Sequence, residues 1–456
     1  MTKKLKPNVL FIMTDQLRSD FLGYMGADFV RTPNLDRLAS RGMVFTNCFT
    51  NSPLCAPARI GLAAGVNPGR LGALTNASYL PPHVPTFYQR FRDNGYRVGV
   101  VGKLDLAKPD PYNGRYGDRP RVYQWGFTHP EEVEGKMHAG LFPTPQGPYG
   151  FYLQDKGLYD AFYEDYQQRR RTGFSLECED SVLPTEAFAD SYIGRRAATW
   201  IDNVPEDFPW FYFVSFVGPH DPYDPPTAYA ERYRGSEMPE AIKPALEGKP
   251  GWVHRRVKTE DAEKILETRR QYCASIEAID DHIGMIMDSL ERRGMLENTY
   301  IIFTSDHGEM IGDHGMYTKQ VAYEPSIRIP LIIAGPNIEA GRISEALVEL
   351  IDLNETSCDL VNLPPDGRLR DSLSFIHVLK GQGNQHRSDI VTCGDNFQCI
   401  RTEQYKYIHN VNDIPELYDL QNDPNETVNI APEHPDMVKE LSRKLTKRFL
   451  DHSTIR

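Results

Sequence analysis

At 456 residues, 40% apolar and 25% charged, the chain is long enough for a large core and reads as a globular protein with two domains, one dominant. Its formal net charge of −12 argues against a nucleic-acid partner or an anionic membrane surface, so an anionic substrate would need a locally basic pocket. The seven cysteines (48, 55, 178, 273, 358, 393, 399) are odd in number and lack zinc-type pairing, and no apolar run is long enough to span a bilayer, which together suggest reduced thiols in a cytoplasmic protein.

Lys3, Lys4 and Lys6 before Val9-Leu10-Phe11-Ile12-Met13 resemble a secretion signal superficially. The run is too short, lacks a small-residue cleavage site and leads straight into Thr14-Asp15-Gln16, so residues 8–13 are read as a first β-strand buried on both faces. Thr32 to Gly42 predicts a short helix with Pro33 in its first turn and Gly42 as its stop. Cys55-Ala56-Pro57-Ala58-Arg59 then opens a helix through Ile60-Gly61-Leu62-Ala63-Ala64, closed by Gly65 and Pro68. That places Cys55 at a helix start, where unpaired amides and the macrodipole favour an anion; the plain alternative is one more buried thiol. Thr86 to Asn94 predicts another helix stopped by Gly95, and Tyr96 to Val101 a strand leading into Gly102-Lys103.

Residues 105–182 are dense in Pro, Gly, Tyr and charge without sustained periodicity, as expected of a specificity-determining insertion over a catalytic face. Its aromatics (Tyr149, Phe151, Tyr152, Tyr159, Phe162, Tyr163, Tyr166) could stack on a ring, although helical packing explains most of them, and Arg169-Arg170-Arg171 reads as a solvated face. A helix from near Pro184 to Trp200 precedes the strand Phe211 to Val217, which delivers Gly218-Pro219-His220-Asp221. Positions 260–294 carry an amphipathic stripe of Ile276, Ile279, Ile283, Met287 and Leu290. The strand Tyr300 to Ser305 ends in Asp306-His307-Gly308, and Pro330 to Ala334 forms a strand beyond Lys319. After about residue 384 the pattern changes to a small antiparallel sheet, then Glu416 to Leu420 and a final helix. The expectation is an α/β fold with a large mixed, mostly parallel sheet flanked by helices over 1–383, and an α+β subdomain over 384–456.

In an open parallel sheet, ligands bind beyond the carboxyl ends of the strands. Four inferred strands deliver Asp15-Gln16, Lys103, His220 and Asp306-His307 to that edge, where Cys55 also lies. Two carboxylates, an amide oxygen and an imidazole suit a hard divalent cation.

Cys-X-Pro-X-Arg at positions 55–59, with these partners, resembles the type I sulfatases of the alkaline phosphatase superfamily. The resemblance implies an alkaline phosphatase-like fold and oxidation of Cys55 to formylglycine by a formylglycine-generating enzyme. It further implies one metal on Asp15, Gln16, Asp306, His307 and the modified Cys55. Calcium is the first expectation and manganese or magnesium the alternatives, since His307 stands where many sulfatases have Asn. Arg59 and Lys103 would hold the aldehyde hydrate, while Lys319 and His220 would grip sulfate and protonate the leaving oxygen. The implied reaction is attack of the hydrate on sulfur, a covalent sulfo-enzyme, and collapse to sulfate and aldehyde, on an alkyl, carbohydrate or aryl sulfate ester. Sulfatases often carry Gly-Lys-X-His where this chain has Gly102-Lys103-Leu104-Asp105, so Asp105 is either the proton acceptor or a salt-bridging group; His314 reads as structural. Ser52 to Arg59 is also reminiscent of choline sulfatases. The alternatives are a phosphodiesterase or phosphonate monoester hydrolase of the same superfamily, and a non-catalytic anion-binding relative.

Overall fold

The computed structural model describes residues 6–173, 178–258, 262–365, 367–368 and 370–450; Lys3, Lys4 and the first two residues of the helix expected over 260–294 lie outside them. An eight-stranded sheet forms the centre: β1 (Asn8–Thr14), β2 (Gly42–Phe45), β3 (Arg97–Gly102), β4 (His129–Glu132), β5 (Trp210–Ser215), β6 (Thr299–Ser305), β7 (Leu331–Ala334) and β8 (Arg342–Ser344). Their order across the sheet is β8-β2-β7-β6-β1-β5-β3-β4. Only β7 runs against the rest.

β1 shows why its sequence is apolar at successive positions. Val9, Phe11 and Met13 enter one core cluster with the helices Cys55–Ala64, Phe87–Asp93 and Asp352–Leu360, while Leu10 and Ile12 enter the other with Ala189–Asn203 and Ala262–Arg292. Both faces of a central parallel strand are covered, so period-2 alternation disappears from the sequence. The register brings the strand ends level: Met13 and Gly102 each pair with Ser215, and Thr14 pairs with Ser305. Asp15, Lys103, Phe216 and Asp306 therefore leave the sheet side by side.

The helix read from Thr32 to Gly42 spans Pro33–Ser40, and Gly42 is not its stop. Gly42 opens β2, where a Cβ would lie 2.4 Å from the Ile333 carbonyl on β7, so close strand approach requires the glycine. The helix Phe87–Asp93 has the expected Gly95 stop at φ +85° and a full capping box between Thr86 and Gln89. The region 105–182 is more ordered than its composition suggests. It supplies the outermost strand β4 and helices including Lys136–Ala139, Pro148–Asp155 and Tyr159–Thr172. Tyr149, Tyr159, Phe162 and Tyr166 are buried in the core. Arg169 corrects the solvated reading of the arginine run: it is buried, with Nε on Asp165 at 2.7 Å and its other nitrogens on the carbonyls of Glu179 and Asp180.

Beyond this layer, β9 (Ile390–Cys393), β10 (Phe397–Arg401), β11 (Tyr405–Asn410) and β12 (Glu416–Asp419) form an antiparallel sheet in chain order. Leu441 and Leu445 of the last helix, Pro435–Leu450, pack on Val391, Ile400, Tyr407 and Leu417 from it. Among the described residues no helix is long and apolar enough to cross a membrane.

Candidate active site

Cys55 begins the helix Cys55–Ala64, with Pro57 in its first turn and Gly65 at φ +68° just past its end. The entire helix is buried. Cys55 and Arg59, four apart, share one helical face that looks at the carboxyl edge of the sheet. Cys55 Sγ lies 3.2 Å from His307 Nε2 and 3.6 Å from Asp15 Oδ1. Arg59 donates from Nε to Asp306 Oδ2 at 2.7 Å, and from Nη1 to the Lys103 carbonyl and Ser215 Oγ, both at 2.7 Å. One guanidinium thus ties the helix to the ends of β3, β5 and β6.

One ligand atom from each of Asp15, Cys55, Asp306 and His307 lies within 4.8 Å of the others, and all four residues are buried. His307 Nδ1 is 2.9 Å from the Gly308 carbonyl; a proton donated there leaves the Nε2 lone pair facing the cluster, the usual arrangement of a metal-binding imidazole. Asp306 Oδ1 accepts from the backbone amides of Gln16 and His307, which fixes its carboxylate. The donor set fits a divalent cation. Gln16, at φ +70°, reaches the same region, and its side chain meets three others: Oε1 accepts from Lys319 Nζ, and Nε2 donates to Glu309 and, at 3.1 Å, to Asp221.

All seven cysteines are buried, but their electrostatics differ. Burial pushes the thiols of Cys358, Cys393 and Cys399 up to about 12. At Cys55, burial and Asp15 push the same way, yet Lys103, Lys108 and Lys319 outweigh them and hold the thiol well below its ordinary value. Position 55 is therefore built to carry negative charge.

The remaining groups line a cavity of about 380 Å³ that includes Lys103, Asp105, His220 and Lys319. Lys103 Nζ bonds Asp15 and lies 3.1 Å from Asp105, which also receives Lys108 Nζ at 2.7 Å. Burial alone would raise the Asp105 carboxyl, but Lys103, Lys108 and Arg59 hold it below the ordinary carboxylate range. Lys319 Nζ donates to His220 Nε2 at 2.6 Å, and His220 Nδ1 faces the Asp221 carbonyl at 2.6 Å. His314 is buried against Tyr323, ring centroids 4.9 Å apart, outside this cavity lining.

Several residues of the site carry no local sequence signal. The Glu309 carboxylate accepts from the amides of Thr318 and Ile311 and from Gln16, joining the turn that bears Lys319 to the end of β1. Lys136 and His138 line the cavity from the insertion, and Lys136 Nζ grips Asp224 Oδ1 at 2.7 Å and the Pro222 carbonyl at 2.6 Å. Asn76, also in the lining, accepts from the Ala56 amide at 3.2 Å in the first turn of the Cys55 helix. Lys108, three residues beyond Asp105, was within reach of sequence reasoning; the others act across the fold.

A family model described as Sulfatase matches residues 7–363, and one described as N-sulphoglucosamine sulphohydrolase, C-terminal, matches 312–453. The chain is 29% identical to a choline-sulfatase of Rhizobium meliloti over 449 residues, covering 93% of this chain and 82% of the relative. It is 28% identical to an arylsulfatase of Clostridium perfringens over 485 residues, covering 98% and 95% respectively. It superposes on the phosphonate monoester hydrolase of Agrobacterium radiobacter with a TM-score of 0.82 and 25% identity, covering 98% of this chain and 96% of that one. With the fold, the buried Cys55 cluster and a family match over most of its length, the chain belongs to the sulfatase family of the alkaline phosphatase superfamily, a family of sulfuric ester hydrolases.

Proposed function

We propose that the protein hydrolyses an alkyl, carbohydrate or aryl sulfate ester at a formylglycine derived from Cys55, beside one divalent cation held by Asp15, Gln16, Asp306, His307 and position 55. The observation that carries this reading is the placement of Cys55, buried among the ligand atoms of Asp15, Asp306 and His307, where Lys103, Lys108 and Lys319 hold its thiol low while burial holds Cys358, Cys393 and Cys399 high. Oxygen-rich donors support calcium, and the His307 imidazole keeps manganese and magnesium as alternatives. When bound, the cation polarises the sulfuryl group and acidifies the hydroxyl at position 55, while the hydrated aldehyde supplies that hydroxyl and a second one for sulfate release.

The chain's own residues do the rest. Arg59 and Lys103 hold position 55 and balance Asp15 and Asp306. Lys319 and His220 face the cavity with the proton on Lys319 Nζ and an acceptor at His220 Nε2, which places a donor for the leaving oxygen. Asp105, which Lys103, Lys108 and Arg59 hold below the ordinary carboxylate range, pairs with both lysines and orients them. Leu54, Met137 and Val217 in the lining exclude water and strengthen these charges. Cys55 has no exposed surface in the folded chain, so a formylglycine-generating enzyme acts on it before the chain folds.

Peptide mass spectrometry of active protein from its native host tests the modification: an aldehyde at position 55 is expected, and an unmodified thiol in fully active enzyme would overturn the mechanism. The likeness to a phosphonate monoester hydrolase favours a second reading, transfer at phosphorus. Initial rates on an aryl sulfate and on an aryl phosphonate with the same leaving group separate the two, and the sulfate is expected to be the faster.

A further inference from the structure

Lys319 sits on a turn that regular structure does not support. Its neighbours Thr318 and Gln320 adopt φ of +66° and +72°. Left-handed backbone is costly at non-glycine residues and persists only where surroundings impose it, and β-branched Thr is especially unsuited to it. Inside the site, Glu309 takes the Thr318 amide, and the Gln320 amide donates to the Pro53 carbonyl at 3.0 Å, two residues before Cys55. Outside the site, a single guanidinium spans the whole turn. Arg256 donates from Nη2 to the Tyr317 carbonyl and Thr318 Oγ1, both at 3.3 Å, and to the Lys319 carbonyl at 2.5 Å, while Nη1 donates to the Gln320 carbonyl at 2.9 Å.

Arg256 is itself anchored away from the cavity. It follows the short helix Gly251–His254, whose Trp252 lies parallel to the Phe397 ring, centroids 6.3 Å apart, and donates from Nε1 to Asn410 Oδ1 at 3.1 Å. Both partners belong to the C-terminal sheet. A planar fork with five donors can serve four acceptors on consecutive residues, whereas a lysine at this position would offer three donors from one point.

We propose that Arg256 is a positioning residue for the reaction: by holding the backbone of 317–320 in its left-handed turn, it aims the Lys319 ammonium at the sulfate and the leaving oxygen. This rests on the role given to Lys319 above. The ammonium's contacts with His220 Nε2 and Gln16 Oε1 are the geometry that Arg256 preserves. Releasing the turn leaves the cation in the pocket but misplaced, and a displacement of about 1 Å can cost on the order of 100-fold.

A double-mutant cycle on the modified, metal-loaded enzyme tests this, with initial rates on an aryl sulfate. Arg256→Ala should lower kcat/KM by about 10–100-fold, mainly in kcat, with little change in unfolding midpoint. In a Lys319→Ala background the same substitution should cost less than about threefold, because the group being aimed is gone. Arg256→Lys should recover part of the loss, and guanidinium ion added to Arg256→Ala should recover part as well. If Arg256→Ala fails to fold, the cycle is run with Arg256→Lys. A costly Lys319→Ala combined with a silent or fully additive Arg256 substitution overturns the positioning role alone. A silent Lys319→Ala overturns the role of Lys319 and the positioning role with it.

Discussion

The two halves of the site are built differently. Asp15, Lys103, Asp306 and His307 follow strands whose ends are level, and Cys55 with Arg59 occupies one face of a buried helix. His220, Asp221, Lys319 and Asp105 sit on irregular backbone, with left-handed φ at Asp105, Thr318 and Gln320. The turn bearing Lys319 is held by Glu309 and Arg256, the segment after His220 by the buried Lys136–Asp224 pair, whose other carboxylate oxygen accepts from Tyr166 at 2.8 Å, and Asp105 by Lys103 and Lys108. The buried cluster around Cys55 rests on hydrogen-bonded strand ends, whereas the groups along the cavity wall rest on side chains borrowed from elsewhere.

Four experiments sharpen or break this contrast, beginning with the most damaging. Cys55→Ala should abolish turnover by roughly 10⁴-fold or more while leaving the unfolding midpoint close to wild type; a joint loss would mean that the strand-edge half depends on its chemistry for its fold. Lys319→Ala should cost on the order of 10²–10³ in rate, with the steepest losses on esters whose leaving groups are least acidic, as measured across a series of aryl sulfates. Lys136→Met strands Asp224 in a buried position and should destabilise the protein by about 3–5 kcal/mol in denaturant titrations, with a rate loss of roughly tenfold through the 220–224 segment. Unchanged kinetics would show that this segment holds its shape without the insertion.

The smallest effect concerns pH. Asp190 accepts from the amides of Val217 and Gly218, just beyond β5, and burial, only partly opposed by the Gly218 amide, Lys136 and the Val217 amide, raises its carboxyl to about 6. The folded state holds this proton more tightly than the unfolded chain, whose Asp titrates near ~3.9. Its contribution to stability is therefore complete below about pH 4 and is lost as pH rises through about 6. Compared with Asp190→Asn, which cannot ionise, the wild-type protein should lose on the order of 1–3 kcal/mol between these limits in chemical denaturation at stepped pH. A constant difference between the two would contradict the raised value.

What the sequence revealed follows the same division. The central strands were legible because burial on both faces makes each an unbroken apolar run, and the polar residues directly after them mark the sheet edge. Gly65 and Gly95 were correctly read as stops. β2 and β8 were missed because three or four residues carry too little pattern, and Gly42 passed for a helix terminator when its role is to admit the β7 backbone. The left-handed turn around Lys319, Arg256 behind it and the Lys136–Asp224 pair had no local signature, since each depends on residues tens of positions away in the chain. Arg169 misled for the same reason: three consecutive arginines look alike until one of them turns inward to meet the carbonyls of 179 and 180.

β4 lies inside the insertion and is the outermost strand of the main sheet, pairing with β3 from Gly99 to Gly102. The segment that lends Lys108, Lys136 and His138 to the cavity thus also shields the backbone of β3. Deleting it would uncover a row of amides and carbonyls ready to pair with another molecule, the ordinary route to aggregation. Point changes along the cavity wall leave that edge covered, whereas loss of the whole segment lays it bare.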